Sequence, residues 1–158
     1  MKVFISGSIG IKRLPAVAQE KLDSIITRGY DVLVGDAPGV DLIVQKYLAQ
    51  RGYPRVVVYY AGERARNNVN LWGTKGIAAT HRERGRALFT LKDVAMAQDA
   101  DYGLMIWDGK SPGTLNNMRM MVRRGKKFIV VYEGSILSKQ SVYALLETGE
   151  LQEEPLLL

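Results

Sequence analysis

Short apolar runs alternate with stretches of helical periodicity along the first half of the chain. The runs at 2–6, 31–34 and 55–60 end at glycine or in a turn, which predicts buried strands. Between them, apolar residues recur every three or four positions, so we predict helices over 14–29 and 39–51. This order of strands and helices is typical of a doubly wound parallel sheet with helices on both faces.

The same alternation resumes in the second half of the chain. We predict further helices and strands at 90–100, 102–107, 115–123, 127–132 and 138–148, in the order helix, strand, helix, strand, helix. The fold class is therefore α/β, with about five parallel strands in three layers. A chain of 158 residues is long enough for a sizeable core, so we predict one domain over residues 1–158.

Residues 61–88 interrupt the alternation. This segment is rich in arginine and asparagine and has little apolar periodicity. It follows the third predicted strand and therefore leaves the sheet at the carboxyl edge, where a long insert is usually a functional lid or a disordered segment. Arg66 and Asn67 are candidates for contacts to an anionic ligand, with a solvated loop as the alternative. Trp72 either stacks on a base or packs locally.

Three of the predicted strands end in loops that combine glycine with small polar residues. The loop residues that we select as ligand-binding candidates are Gly7, Ser8, Gly35, Asp36, Ala37, Gly39, Asp41, Asp108, Ser111, Gly113, Thr114 and Asn117. Because the carboxyl ends of parallel strands meet at one edge, we expect these residues to form one site together with Arg66 and Asn67. The last loop opens a helix, whose free N–H groups and dipole suit a phosphate.

Composition narrows the classes of function. The chain has no cysteine and one histidine, which excludes disulfides and argues against thiolate or histidine metal sites, so we expect neither a metal nor a cofactor. No apolar run approaches a membrane span and no signal peptide is visible, so we expect a cytoplasmic protein without membrane contact. The formal charge of +6 permits an anionic partner, either a phosphorylated small molecule or nucleic acid.

The loop motifs carry a family resemblance. Ile5-Ser6-Gly7-Ser8, the run Gly35 to Asp41, and Ser111-Pro112-Gly113-Thr114, in that order, resemble the SLOG superfamily, a Rossmann-like group that includes the LOG phosphoribohydrolases and the DprA DNA-processing proteins. The run Ala100 to Ser111 is similar to small stand-alone bacterial members of that group. The resemblance implies a Rossmann-like sheet, a nucleotide-type ligand and a homo-oligomer, and the apolar chain end fits the last of these.

The chain departs from the LOG pattern at two places, at Asn117 and at the tandem glycine, where Ser111-Pro112 stands instead. LOG enzymes carry Gly-Gly-x-Gly-Thr-x-x-Glu with a catalytic glutamate, and aligning Gly113-Thr114 with that pattern places Asn117 at the glutamate position. An amide cannot act as a carboxylate base, so the substitution argues against LOG-type activity. Asn117 can still form hydrogen bonds with a ribose hydroxyl or a base edge.

Three functions stay open. The first is a sensor or binding domain for a mononucleotide, ADP-ribose or an NAD-like ligand. The second is a nucleotide N-glycosidase or (deoxy)ribosyl transferase, with Asp36 and Asp108 as the catalytic carboxylates. The third is single-stranded nucleic-acid binding, which the arginine-rich insert favours. The aspartates also have structural interpretations, because Asp36 and Asp108 suit turns and Asp41 suits a helix N-terminus.

Overall fold

The computed structural model describes residues 1–79 and 84–151. The strands are β1 (Lys2–Gly7), β2 (Asp31–Gly35), β3 (Val56–Ala61), β4 (Gly73–Ile77), β5 (Tyr102–Trp107), β6 (Lys127–Tyr132) and β7 (Ser135–Ile136). The helices are α1 (Ala16–Arg28), α2 (Val40–Gln50), α3 (Gly85–Asp99), α4 (Pro112–Arg123) and α5 (Lys139–Thr148).

The described strands form a single sheet in the order β4-β3-β2-β1-β5-β6-β7. β1 to β6 run parallel, and β7 is antiparallel to β6. The chain starts in the middle, moves outward through β2 and β3, and crosses to the other side of β1 at β5. Successive connections therefore diverge between β1 and β5, which opens a crevice at their carboxyl ends.

Alternate residues of the central strands face two separate cores. Val3 and Ile5 of β1 pack with α1 and α2, whereas Phe4 between them packs on the side of α3, α4 and α5. All three are at most 1% exposed, so both faces of β1 are covered. Burial on both faces explains why these strands appear in the sequence as continuous apolar runs. The result is the predicted three-layer α/β fold.

The sheet has seven strands rather than about five. The five predicted strands are its central members, and β4 and β7 are the additional edge strands. β4 falls within the predicted insert. Its residues, Gly-Thr-Lys-Gly-Ile, are largely exposed and show no apolar alternation that would predict a strand. β7 has only two residues. The helix predicted to start at Thr90 begins five residues earlier, at Gly85, so α3 takes up the end of the insert.

Because β4 is parallel to β3, the chain must return to the amino end of the sheet between them. Residues 62–72 make this return without a helix. The end of this connection is anchored in the core by Trp72, which is 8% exposed and donates from Nε1 to the Tyr53 carbonyl at 2.9 Å. The Asn68 side chain also bonds both backbone polar groups of Trp72. Trp72 therefore packs locally and is not available to stack on a ligand.

Helix length and hydropathy bear on membrane insertion. Among the residues that the structure describes, no helix combines the length and the apolar character needed to cross a bilayer.

Candidate functional site

A cavity of about 210 Å³ occupies the crevice at the carboxyl edge of the sheet. Its walls come from the end of β1, the loop before α2, the N-terminus of α4 and one face of α3. Arg66 of the 62–72 connection also contributes. The switch point between β1 and β5 thus brings together separate parts of the chain.

The N-terminus of α4 presents free backbone donors to this cavity. Ser111 occupies the N-cap position, but its side chain makes no capping hydrogen bond, and Pro112 follows at the first turn. The Thr114 hydroxyl donates to Ser111 Oγ at 3.4 Å. The first N–H groups of a helix have no partner within the helix, so those of Gly113 and Thr114 remain available to an anion.

A buried lysine lies beneath the cavity among three carboxylates. Lys92 Nζ of α3 is 3.2 Å from Asp41 Oδ2, 3.6 Å from Asp93 Oδ1 and 3.8 Å from Asp36 Oδ1. Burial alone would disfavour its charge, but the three carboxylates outweigh burial and keep the pKa of Lys92 above its ordinary value. The lysine is therefore a fixed cation that holds α3 against the ends of β2 and α2.

Asp36 pairs with Arg66 behind the cavity wall. Its two oxygens accept from the Arg66 guanidinium at 2.9 and 3.2 Å, and one also accepts the Arg66 backbone N–H at 2.8 Å. Burial opposes ionisation, yet these bonds and the Lys92 charge lower the pKa of Asp36. The guanidinium carbon also lies 3.7 Å from the ring centroid of Phe89. Arg66 is thus held in place, with a third of its side chain still exposed.

Asp93 is the member of this charged cluster that the cavity exposes. Its side chain is 22% exposed, against 1% for Asp36 and 9% for Asp41. Partial burial, with the Asp41 charge, raises the pKa of Asp93 to about 6, even though Lys92 and the Asn117 amide favour the ionised form. The cavity therefore contains an accessible carboxylate that is mostly ionised at neutral pH and takes up a proton near pH 6.

The Asn117 amide joins α4 to the end of β1. Asn117 is 3% exposed, and its Nδ2 donates to Ser6 Oγ at 2.6 Å. Both residues line the cavity. The position that carries a carboxylate in the LOG pattern therefore carries a hydrogen-bonded amide here, and Asp93 of α3 places a carboxylate in the same cavity.

Ser8 and Asp108 shape the loop before α4 and do not line the cavity. Ser8 Oγ accepts the Asp108 backbone N–H at 3.0 Å, and Asp108 Oδ1 accepts the backbone N–H groups of Lys110 and Ser111, each at 2.8 Å. Burial opposes ionisation of Asp108, but these backbone donors prevail and lower its pKa. This carboxylate is already occupied by the turn that it stabilises.

Two glycines permit the close packing behind the site. A Cβ at Gly35 would collide with the Lys92 ammonium and the Asp41 carboxylate. Gly39 has φ +78°, and a Cβ there would lie 2.5 Å from Cα of Ile9. A side chain at either position would displace the charged cluster or the loop before α2.

The structure divides the predicted site residues into two groups. Those that line the cavity are Gly7, Ala37, Asp41, Arg66, Ser111, Gly113, Thr114 and Asn117. Those that support it from behind are Ser8, Gly35, Asp36, Gly39, Asn67 and Asp108. In the supporting group, the Asn67 amide donates to the Asp36 carbonyl at 2.9 Å. The two carboxylates selected as catalytic, Asp36 and Asp108, belong to the supporting group.

Sequence reasoning missed the contribution of α3. The residues that α3 brings to the cavity are Arg86, Phe89, Thr90, Lys92 and Asp93. Arg86, Thr90 and Asp93 follow one another at spacings of four and three, which places them on one face of a helix. The sequence predicts this helix only from Thr90, with Lys92 and Asp93 near its start, which leaves Arg86 in the insert and does not connect the polar face with the strand-end loops. Ser6, which precedes the first selected glycine, was also missed.

Comparison with known proteins supports the fold. No family model matches the chain, and no match was found among curated proteins. Among solved structures, the chain is similar to DNA processing protein A from Helicobacter pylori, a protein described for its mode of single-stranded DNA binding. The TM-score is 0.63 at 17% sequence identity, and the alignment covers 96% of this chain and 74% of that chain. At this identity the likeness establishes the Rossmann-like α/β fold.

Proposed function

We propose that the carboxyl-edge cavity binds the sugar-phosphate part of a nucleotide-type ligand, and that the protein is a nucleotide sensor or binding domain. The observation that carries the proposal is the presence, in one cavity, of an uncapped helix N-terminus and the accessible carboxylate of Asp93. The α4 N-terminus favours an anion. The carboxylate repels an anion and requires hydrogen-bond donors, such as sugar hydroxyls or an amino group.

The charge and size of the cavity support a single nucleotide. Its charged lining consists of Arg66, Arg86 and Lys92 against Asp41 and Asp93, so the formal charges nearly balance. A volume of about 210 Å³ is below the roughly 300–1,000 Å³ usual for enclosed ligands, so part of the ligand must lie outside. Ile9, which is 63% exposed at the rim, offers an apolar surface to a base.

A second candidate is single-stranded nucleic-acid binding. The observation that favours it is the fold shared with DNA processing protein A, which is described for binding single-stranded DNA. In this case the cavity would receive one nucleotide unit of a strand. The two candidates make different predictions. A nucleic-acid strand brings several phosphates into contact with the protein, so its affinity falls more steeply with salt than the affinity of a mononucleotide.

Calorimetric titration with nucleoside 5′-monophosphates, the matching nucleosides and inorganic phosphate tests the first candidate. We expect the monophosphates to bind and the two partial ligands to bind far more weakly. Asp93→Asn and Arg86→Ala should each weaken monophosphate binding by roughly 10- to 100-fold, the effect of losing one charge-assisted hydrogen bond. A ligand present at 100 times its Kd should also raise Tm by about 5–10 °C.

Lys127→Ala, at the far end of the sheet, is the control and should bind like the unchanged protein. If inorganic phosphate binds as tightly as any monophosphate, the site recognises the phosphate alone and not a nucleotide. Oligonucleotide binding that Arg86→Ala weakens, with no monophosphate binding, would favour the second candidate.

A further inference from the structure

β6 is the last parallel strand on its side of the sheet, and β7 covers only the end of it. β7 pairs with Val131 and Tyr132, and the Leu137 N–H then donates to the Val130 carbonyl at 2.9 Å. Beyond this bond the chain turns away into α5. Within the part of the chain that the structure describes, no strand pairs with the outer side of residues 127–129.

The outer side of this segment presents the backbone N–H and C=O groups of Phe128. The Val130 carbonyl points outward, because it accepts from Leu137. Peptide groups of alternate strand residues point to the same side, so those of Phe128, two residues earlier, also point outward. A strand edge with free donors and acceptors is a template for another extended chain.

A cavity of about 420 Å³ adjoins this free edge. β6 forms its floor, and the end of α4 and the start of α5 form its walls. The apolar side chains that line it include Val122, Phe128, Val142 and Tyr143. Val122 is 37% exposed and Tyr143 is 47% exposed, so the cavity offers apolar surface to a partner. We call the free edge of residues 127–129 together with this cavity the β6 groove.

Every charged side chain that lines the β6 groove is positive. These are Lys126, Lys127 and Lys139, and there is no carboxylate side chain among the described lining residues. Lys126 is committed to the fold, because its ammonium donates to the Ala97 and Gln98 carbonyls at 2.7 and 2.6 Å. Lys127 and Lys139 are exposed, and neither takes part in a salt bridge between described residues. The charge of the groove therefore favours an acidic partner.

We propose that the β6 groove binds an extended acidic peptide of another protein, which adds a strand beside β6. In this mode of recognition, main-chain hydrogen bonds provide affinity, and pockets for alternate side chains provide specificity. Lys127 and Phe128 are neighbours in a strand, so their side chains point to opposite faces of the sheet. A peptide that alternates apolar and acidic residues would place the apolar ones in the cavity and the acidic ones beside Lys127.

Other occupants match these features less well. A second copy of this chain would bring Lys127 and Lys139 of both copies into one interface, where like charges repel. A nucleic-acid strand has phosphates for the lysines, but its backbone has no N–H group to donate to the Phe128 carbonyl. The inference goes beyond the proposed function, since the β6 groove and the carboxyl-edge cavity share no lining residue.

Fluorescence anisotropy with a labelled peptide of alternating glutamate and valine tests the charge of the groove. We expect saturable binding to the unchanged protein, whereas a peptide of alternating lysine and valine should not bind. Lys127→Glu combined with Lys139→Glu should weaken binding of the acidic peptide by roughly tenfold, because two attractions become repulsions. Lys12→Glu combined with Lys46→Glu makes the same change of charge at exposed positions outside the groove and should have little effect.

Phe128→Pro, compared with Phe128→Leu, tests the added strand. Both variants lose the aromatic ring, but only proline also lacks the backbone N–H. An edge strand tolerates proline where the N–H faces outward, and thermal unfolding of both variants would verify that they are folded. The proline variant should bind the acidic peptide roughly tenfold more weakly than the leucine variant, the effect of losing a main-chain hydrogen bond.

Four results would overturn the proposal. The first is an absence of acidic-peptide binding at low salt, and the second is an equal loss in the two lysine-pair variants. The third is equal binding by the proline and leucine variants of Phe128. The fourth is a gain in peptide affinity of more than tenfold on deletion of residues 152–158, which include Glu153 and Glu154, since the occupant would then be this chain's own acidic segment.

Discussion

Asp36 and Asp93 lie at the same sheet edge and contact the same lysine, yet their surroundings shift their pKa values in opposite directions. Asp36 accepts three hydrogen bonds from Arg66, which stabilise its charge and lower its pKa. Asp93 is partly buried near Asp41, and its pKa rises to about 6. Proton affinity at this edge is therefore decided by hydrogen-bond donors within reach, and not by residue type or place in the sequence.

The raised pKa of Asp93 predicts a pH-dependent cost to stability. The folded state holds this proton more tightly than the unfolded state, in which the pKa is near 3.8, so Asp93 lowers stability progressively as pH rises from about 4 to about 6. Asp93→Asn removes the effect. Its unfolding free energy, relative to that of the unchanged protein, should therefore rise through that range by on the order of 1–3 kcal/mol and then level off.

Urea unfolding at a series of pH values measures this difference. Asp101→Asn replaces an exposed aspartate just before β5, at the other end of the strands, and is the control for the loss of one carboxylate. A difference between Asp93→Asn and the unchanged protein that stays flat from pH 4 to pH 6 would show that Asp93 titrates normally.

At the scale of elements, a buried glutamine of α2 holds the middle of the 62–72 connection, beside the contacts that Asp36 and Trp72 make with it. Gln45 is fully buried, and its Nε2 donates to the carbonyls of Gly35 at 2.9 Å and of Asn67 at 3.1 Å. Its Oε1 accepts the Val69 backbone N–H at 3.1 Å. One side chain thus joins β2, α2 and the connection, and it fixes the segment from which Arg66 reaches Asp36.

Gln45→Leu should destabilise the protein by about 2–4 kcal/mol, since it leaves buried backbone groups without partners. Chemical denaturation measures the loss. Gln50→Leu makes the same replacement at an exposed position of the same helix and should change stability by less than about 0.5 kcal/mol. Equal effects of the two replacements would show that the Gln45 hydrogen bonds do not hold the connection.

At the scale of the molecule, the candidate site lies at the carboxyl end of the parallel strands, whereas Lys127 and Asp101 lie at their amino end. A six-residue strand such as β5 is about 20 Å long, whereas charges in physiological salt are screened over about 8 Å. Direct electrostatic coupling between the two ends of the strands should therefore be weak.

This separation predicts that a charge at the amino end has little effect on binding at the carboxyl edge. Lys127→Glu should change the Kd for a nucleoside monophosphate by less than about twofold. Calorimetric titrations of the variant and the unchanged protein measure this. A larger change would show that charges act on the cavity over the whole length of the strands.

Hydrophobic pattern by itself determined the central architecture of this protein. Five strands buried on both faces give continuous apolar runs, and the helices between them show clear periodicity, so the α/β order could be predicted from local sequence. The same pattern placed the Gly- and Ser-rich loops at one edge. β4 escaped prediction because an exposed edge strand such as Gly-Thr-Lys-Gly-Ile buries too little apolar surface to leave a pattern.

Tertiary structure alone decided which residues at that edge face the cavity. Asp36 and Asp108 looked accessible in the sequence, but their hydrogen-bond donors come from Arg66 and from the backbone of their own loop. Asp93 reaches the cavity because α3 packs beside α4 on the same face of the sheet, a contact between segments that the sequence leaves unconnected. Burial, pairing and proton affinity depend on such long-range neighbours, whereas strands and helices depend mainly on local periodicity.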